Sequence, residues 1–167
     1  MDDPSASGQG FNTLAGYLFG RNSRDESMAM TTPVAIDCES PAYLGGSSAT
    51  GASSFSVDGG GGKSTRRSMS FVLPEGMAAA AAPAPVAGAA VSLGDVAQGE
   101  RWAVAEFTGF VTDGEVRRQV EALRAALRRD ARGADESGRY RVMQYNPPYT
   151  LPFRRRNEVA IRLVEPQ

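Results

Sequence analysis

Three groups of residues in this chain have types and spacings that could do chemistry. The run DGGGGKST at residues 58–65 has the glycines, lysine and hydroxyls of a phosphate-cradling loop. With Gly62, Lys63 and Ser64 in place, that motif needs a glycine at position 57, where Val57 stands, and a helix rather than a strand after it. The run therefore reads as a flexible connection. A second group is basic: Arg117, Arg124 and Arg128 share a helical face, and Arg154, Arg155 and Arg156 are consecutive, so either set could hold phosphate or carboxylate groups. Glu115, Glu121 and Asp130 are interspersed with the first set, which makes it a solvated face of mixed sign. No aromatic residues interleave the clusters as a base-stacking platform would require. The third group is soft or phenolic: Met28, Met30, Tyr17, Tyr145, Tyr149 and Cys38 could ligate a metal, and each is equally explained by packing.

What is missing restricts the chemistry further. The chain has no histidine, which removes the Ser-His-Asp and Cys-His catalytic systems and the commonest zinc and haem ligand. Glu106 and Glu158 are more simply surface or ion-pair carboxylates than an acid–base couple, and no constellation names a reaction. The expectation is a protein that is not an enzyme. The single cysteine, Cys38, excludes an internal disulfide.

Of the 167 residues, 31 are Leu, Ile, Val or Phe, about 19%, and the net charge is −1. That combination suits one domain over residues 1–167 with a modest core and segments that do not join it. Seventeen arginines and one lysine are balanced by nineteen acids, so bulk charge gives no argument for nucleic acid. The polar, acidic N-terminus and the lack of a long apolar run give no targeting or transmembrane segment. From this chain alone the expectation is a soluble protein of the cytoplasm.

The elements that must position these residues follow from periodicity. Phe11, Leu14, Ala15, Leu18 and Phe19 fall on one helical face, and Gly20 ends that helix. Extended-favouring residues predict strands over 28–37 and 68–73, a short edge strand over 91–96, and an interior strand over 101–107 with apolar residues on both faces. Two flexible insertions are expected, Gly/Ser-rich at 45–62 and Ala-rich with Pro83 and Pro85 at 77–90. The sequence TDGE at 112–115 predicts a capping box, Thr112 capping the first turn and Glu115 reaching back. Val116, Val120, Leu123 and Leu127 then form the buried stripe of a helix, with Gly133 as its stop. Strands over 140–145 and 158–164 flank a proline-rich turn and make a terminal hairpin. Helices that do not alternate regularly with strands favour an antiparallel α+β arrangement.

Four stretches resemble the SOUL haem-binding family, most closely its plant and algal branch: LAGYLFGRNSRDESMAMTTPV (14–34), SFVLPEGM (70–77), RWAVAEFTGFVTDGEV (101–116) and YNPPYTLPFRRRNEVAI (145–161). The last is the most specific. The resemblance implies a distorted antiparallel β-barrel with two flanking helices, built from two similar halves, that binds haem or a porphyrin non-covalently in a shallow apolar site as a carrier or buffer. Carried over by motif, it points to Asn12, Leu14, Ala15, Leu18, Met28 and Met30 on one side of the ring and Thr150, Leu151 and Pro152 on the other. Arginines nearby could pair the propionates, with no histidine available to the iron. Arg155, Arg156, Asn157 and Glu158 are expected to hold the hairpin rather than touch ligand. Family members normally carry strands and the first half of the first helix ahead of Leu14, and only residues 1–13 stand there, so the first strands are expected to be missing. Plastid localisation is a family-level expectation. The rival reading is an effector-binding or protein-interaction domain on the same barrel, without haem, engaging a protein through the face of Arg117, Arg124 and Arg128.

Overall fold

The computed structural model of the chain describes residues 4–39, 66–95 and 99–164. The insertion expected at 45–62 and the run 58–65 lie outside the described residues. Along the chain come helix α1 (Pro4–Leu18), strands β1 (Val34–Glu39), β2 (Arg66–Phe71) and β3 (Trp102–Phe107), helix α2 (Asp113–Arg129), β4 (Tyr140–Gln144), a single 3-10 turn (Pro152–Arg154) and β5 (Asn157–Arg162). The strands form one antiparallel sheet in the order β2-β1-β4-β5-β3. The α+β class is as expected. Strands β2 and β3 are the two ends of an open sheet, so the described strands do not close the barrel that the resemblance implies.

Register decides what each face carries. Met69, Ile36, Val142, Val159 and Ala105 are successive partners across the sheet, and residues two apart along a strand share a face. Both helices lie on that face. Helix α2 buries Val116, Val120 and Leu127 against Phe107, Val142, Val159 and Ile161, the main core. At the other end of the sheet, α1 places Phe11 edge-on to Phe71 at 5.5 Å, and Tyr17 and Leu18 join Met28 in a second cluster that Phe71 packs against. The opposite face aligns Ser68, Asp37, Arg141, Ala160 and Val104 and carries the polar chemistry described below.

Several boundaries differ from the sequence expectation for identifiable reasons. Helix α1 begins at Pro4 rather than at Phe11, so helical backbone does precede Leu14. Proline is well suited to a first helical turn, and the small residues Ser5, Ala6, Gly8 and Gly10 gave no apolar period to detect. Strand β1 starts only at Val34, after Pro33, which has no N–H for the ladder. Residues 91–95 form no strand; Val91 and Leu93 pack instead against the Tyr17–Leu18–Met28 cluster. Strand β3 is an edge strand, not an interior one: Phe107 is buried, while Val104 and Glu106 on its other face are exposed.

The ends of α2 show the same mixture. The Thr112 hydroxyl accepts from the Glu115 N–H at 3.3 Å, as a cap should. The reciprocal half of the box is not made, because the Thr112 N–H donates to the Phe110 carbonyl and the Glu115 carboxylate takes Arg118 and Gln119. Nor does Gly133 end the helix. Ala131 adopts the positive φ beyond the last turn, and Gly133 is needed for close approach, since a Cβ there would sit 2.6 Å from the Val164 carbonyl oxygen.

Segment 77–90 is irregular, as its two prolines require, but it is tied to α1. The Tyr17 hydroxyl donates to the Pro83 carbonyl, the Ser23 N–H to the Ala84 carbonyl, and Asn22 pairs with Pro85 in an isolated bridge.

Candidate functional site

The nine residues picked out by motif fall into two groups with different neighbours. On the α1 side, the Met28 N–H donates to the Leu18 carbonyl at 2.7 Å, folding the chain back onto the helix it has just left. Asn22 organises that return: its amide donates to the carbonyls of Tyr17 and Glu26, and its carbonyl accepts the N–H groups of Arg24 and Glu26. All four hydrogen-bonding positions of a buried side chain are thereby used. Leu14, Ala15, Leu18 and Met28 are buried, whereas Asn12 and Met30 are exposed. The apolar surface of Tyr17, Leu18 and Met28 meets Phe71, Leu73, Met77, Val91 and Leu93, so the chain itself covers part of the side of the ring that the resemblance assigned to α1 and its return.

The second group sits on the turn of the β4–β5 hairpin. Thr150 and Pro152 are half-buried and Leu151 is exposed. Around them stand large apolar side chains left in water: Phe110 is 59% exposed, Tyr149 87%, Leu151 53% and Phe153 69%. Phe110 belongs to a different segment, brought here because the Gly109 N–H donates to the Pro152 carbonyl at 2.9 Å and the Asn157 amide to the Gly109 carbonyl at 3.1 Å. The guanidinium of Arg155 lies 4.9 Å from the Phe110 ring centre, and that of Arg154 lies 5.8 Å from that of Phe153. Single exposed hydrophobes need no explanation, whereas here four large apolar side chains are exposed near one loop junction, with an arginine against two of their rings.

Arg155, Arg156, Asn157 and Glu158 do hold the hairpin. Arg155 donates through Nε to the Thr150 carbonyl at 2.8 Å, and the Arg156 N–H donates to Asn146 Oδ1 at 2.6 Å. The Arg156 guanidinium joins buried Glu158 at 2.5 Å to Glu106 at 3.0 Å, and the Tyr145 hydroxyl donates to Glu158 at 2.8 Å. Burial and the Glu158 carboxylate push the Tyr145 phenol up, and the same carboxylate raises Arg156. Glu106 and Glu158 are thus ion-pair carboxylates bridged by one arginine.

On the helix-free face, Arg141 makes a bidentate pair with Asp37 and lies 4.7 Å over the ring of Trp102. This network fixes β1, β4 and β3 relative to one another. The arginine face of α2 is less available than its spacing suggested. Arg117 and Arg128 are exposed, but Arg124 is half-buried and donates to the carbonyls of Asp135 and Arg139.

Sequence reasoning found the turn through its motif and missed Phe110, Phe153 and Asn22. The two phenylalanines carry no helical or strand period, and only their adjacency to the turn residues in sequence or space distinguishes them. Among the described residues no group of three His, Cys, Asp or Glu side chains could hold a metal ion, and no helix is long and apolar enough to cross a membrane.

A family model described as SOUL heme-binding protein matches residues 1–162. No curated protein matches the chain.

Proposed function

The chain belongs to the SOUL heme-binding protein family, and from that premise we propose that it binds haem or a porphyrin non-covalently, as a carrier or buffer rather than an enzyme. The observation that carries this reading is the exposed apolar surface of Phe110, Tyr149, Leu151 and Phe153 with Arg154 and Arg155 beside it. A flat apolar macrocycle with two carboxylates is the chemistry that such a surface fits. The ring removes aromatic and aliphatic area from water, at about 25 cal/mol per Å² buried. Arg154 has no acidic partner among the described residues and is available to a propionate.

In this reading the exposed members of the motif-derived set, Asn12, Met30 and Leu151, together with Thr150 and Pro152, make the contacts. Leu14, Ala15, Leu18 and Met28 act from behind, as the packed support of α1 and its return. The bound group supplies its own ring and metal chemistry; the protein's part is to bury one face, pair the carboxylates and keep the molecule soluble.

Titration of the chain with haemin and, separately, with metal-free protoporphyrin IX tests the proposal. Saturable one-to-one binding with a Kd of about 1 μM, on the order of 8 kcal/mol, is expected for both, and Leu151→Asp should weaken both at least about tenfold. Non-saturating spectra for both ligands would overturn it.

A further inference from the structure

Tyr149 is the most exposed large hydrophobic side chain among the described residues, yet its backbone is held on both sides. The Thr150 N–H donates to the Pro147 carbonyl at 3.0 Å, closing a turn over Pro148 and Tyr149. Arg155 then clamps that turn, one guanidinium donating through Nε to the Thr150 carbonyl at 2.8 Å and through Nη2 to the Pro148 carbonyl. Two consecutive prolines restrict the chain leading into it. An aromatic hydroxyl is thus presented to solvent from a fixed turn, beside the apolar surface of Phe110, Leu151 and Phe153.

Among the described residues, the other tyrosines and the cysteine are committed elsewhere. Tyr17 is buried and donates to Pro83, Tyr145 donates to Glu158, and Cys38 is buried opposite its half-buried cross-strand partner Tyr140 inside the sheet. Met28 and Met69 are buried, and no histidine exists. Exposed Met30 offers a thioether, a soft ligand, whereas a phenolate is a hard oxygen donor suited to ferric iron.

We propose that Tyr149, through its phenolate oxygen, is the protein ligand to the iron when this chain takes up ferric haem. The inference rests on the tetrapyrrole-binding reading above and adds the coordination to it. With aquo-haem, one water leaves the iron, the Tyr149 oxygen takes its place, and the phenol proton passes to solvent; no electron is transferred.

The test uses the full chain, ferric haem and metal-free protoporphyrin IX. The haem complex should show phenolate-to-iron charge-transfer absorption and the matching phenolate modes in resonance Raman spectra, and Tyr149→Phe should abolish both. Because the variant keeps the ring and loses only the hydroxyl, the ratio of its haem Kd to its protoporphyrin IX Kd should rise at least about tenfold over that of the unaltered chain. A haem complex without the charge-transfer band, or a band that persists in Tyr149→Phe, overturns the ligand assignment while porphyrin binding stands. Failure of the unaltered chain to bind either ligand overturns the tetrapyrrole reading itself, and the assignment with it.

Discussion

The Tyr17 hydroxyl donates to the Pro83 carbonyl at 2.7 Å across 66 positions of sequence. This one bond joins the buried face of α1 to an alanine- and proline-rich segment with few apolar side chains of its own. Pro83 is among the largest fully buried side chains, and Ala82 beside it is buried as well. The segment is positioned by backbone bonds to α1 and its return, not by a hydrophobic stripe.

Replacing Tyr17 with Phe removes the donor and leaves the Pro83 carbonyl unpaired in a buried setting. The expected loss is about 1–3 kcal/mol of unfolding free energy, read from urea denaturation. Enhanced proteolysis within 77–90 in native buffer should accompany it. A variant as stable and as resistant as the unaltered chain would show that the carbonyl finds water instead.

That example shows which features were legible in the sequence. Helix α2 was readable because Val116, Val120, Leu123 and Leu127 repeat at helical spacing, and the hairpin because alternating strands flank Asn146, Pro147 and Pro148. The first half of α1 was not, because Ser and Gly residues carry no apolar period. The edge position of β3 was hidden for a different reason: Trp102 and Val104 look like a second buried face, but Trp102 is used by Arg141 and Val104 faces water. At the candidate site, motif matching located Thr150, Leu151 and Pro152, while Phe110 arrives only through the backbone bond between Gly109 and Pro152. Non-local contacts of that kind leave no local pattern.

Cys38 gives a prediction in pH. Burial is the main cause that pushes its thiol from about 9 up to about 11, and Tyr140 beside it is raised by burial as well. A folded-state value above the unfolded one means the contribution is complete below about pH 9 and is lost as pH rises toward 11. Unfolding free energy should therefore fall by about 2 kcal/mol over that interval on account of Cys38. Cys38→Ala should flatten the slope in part, leaving the Tyr140 share. In the unaltered chain, Ellman's reagent at pH 8 should react with Cys38 only at the rate of unfolding. An immediate reaction would show that the thiol is open to solvent in the folded state.

Arg155 is the residue through which turn geometry should reach affinity. Its planar fork spans the Pro148 and Thr150 carbonyls while lying against Phe110, so it fixes both parts of the apolar surface together. Arg155→Ala should cost only about 1 kcal/mol of stability, because the freed carbonyls can turn to water. Protoporphyrin IX affinity should fall further, about tenfold, because the ligand must then order a loose turn and a displaced ring on binding. Arg155→Lys restores the charge but cannot reproduce two donors in a fixed plane. If the arginine acts by holding the turn, Lys recovers little of the affinity; if it acts as a charge for a propionate, Lys recovers most of it. Kd values for the three chains, with thermal melts to confirm folding, separate the two roles, and the geometry predicts the first.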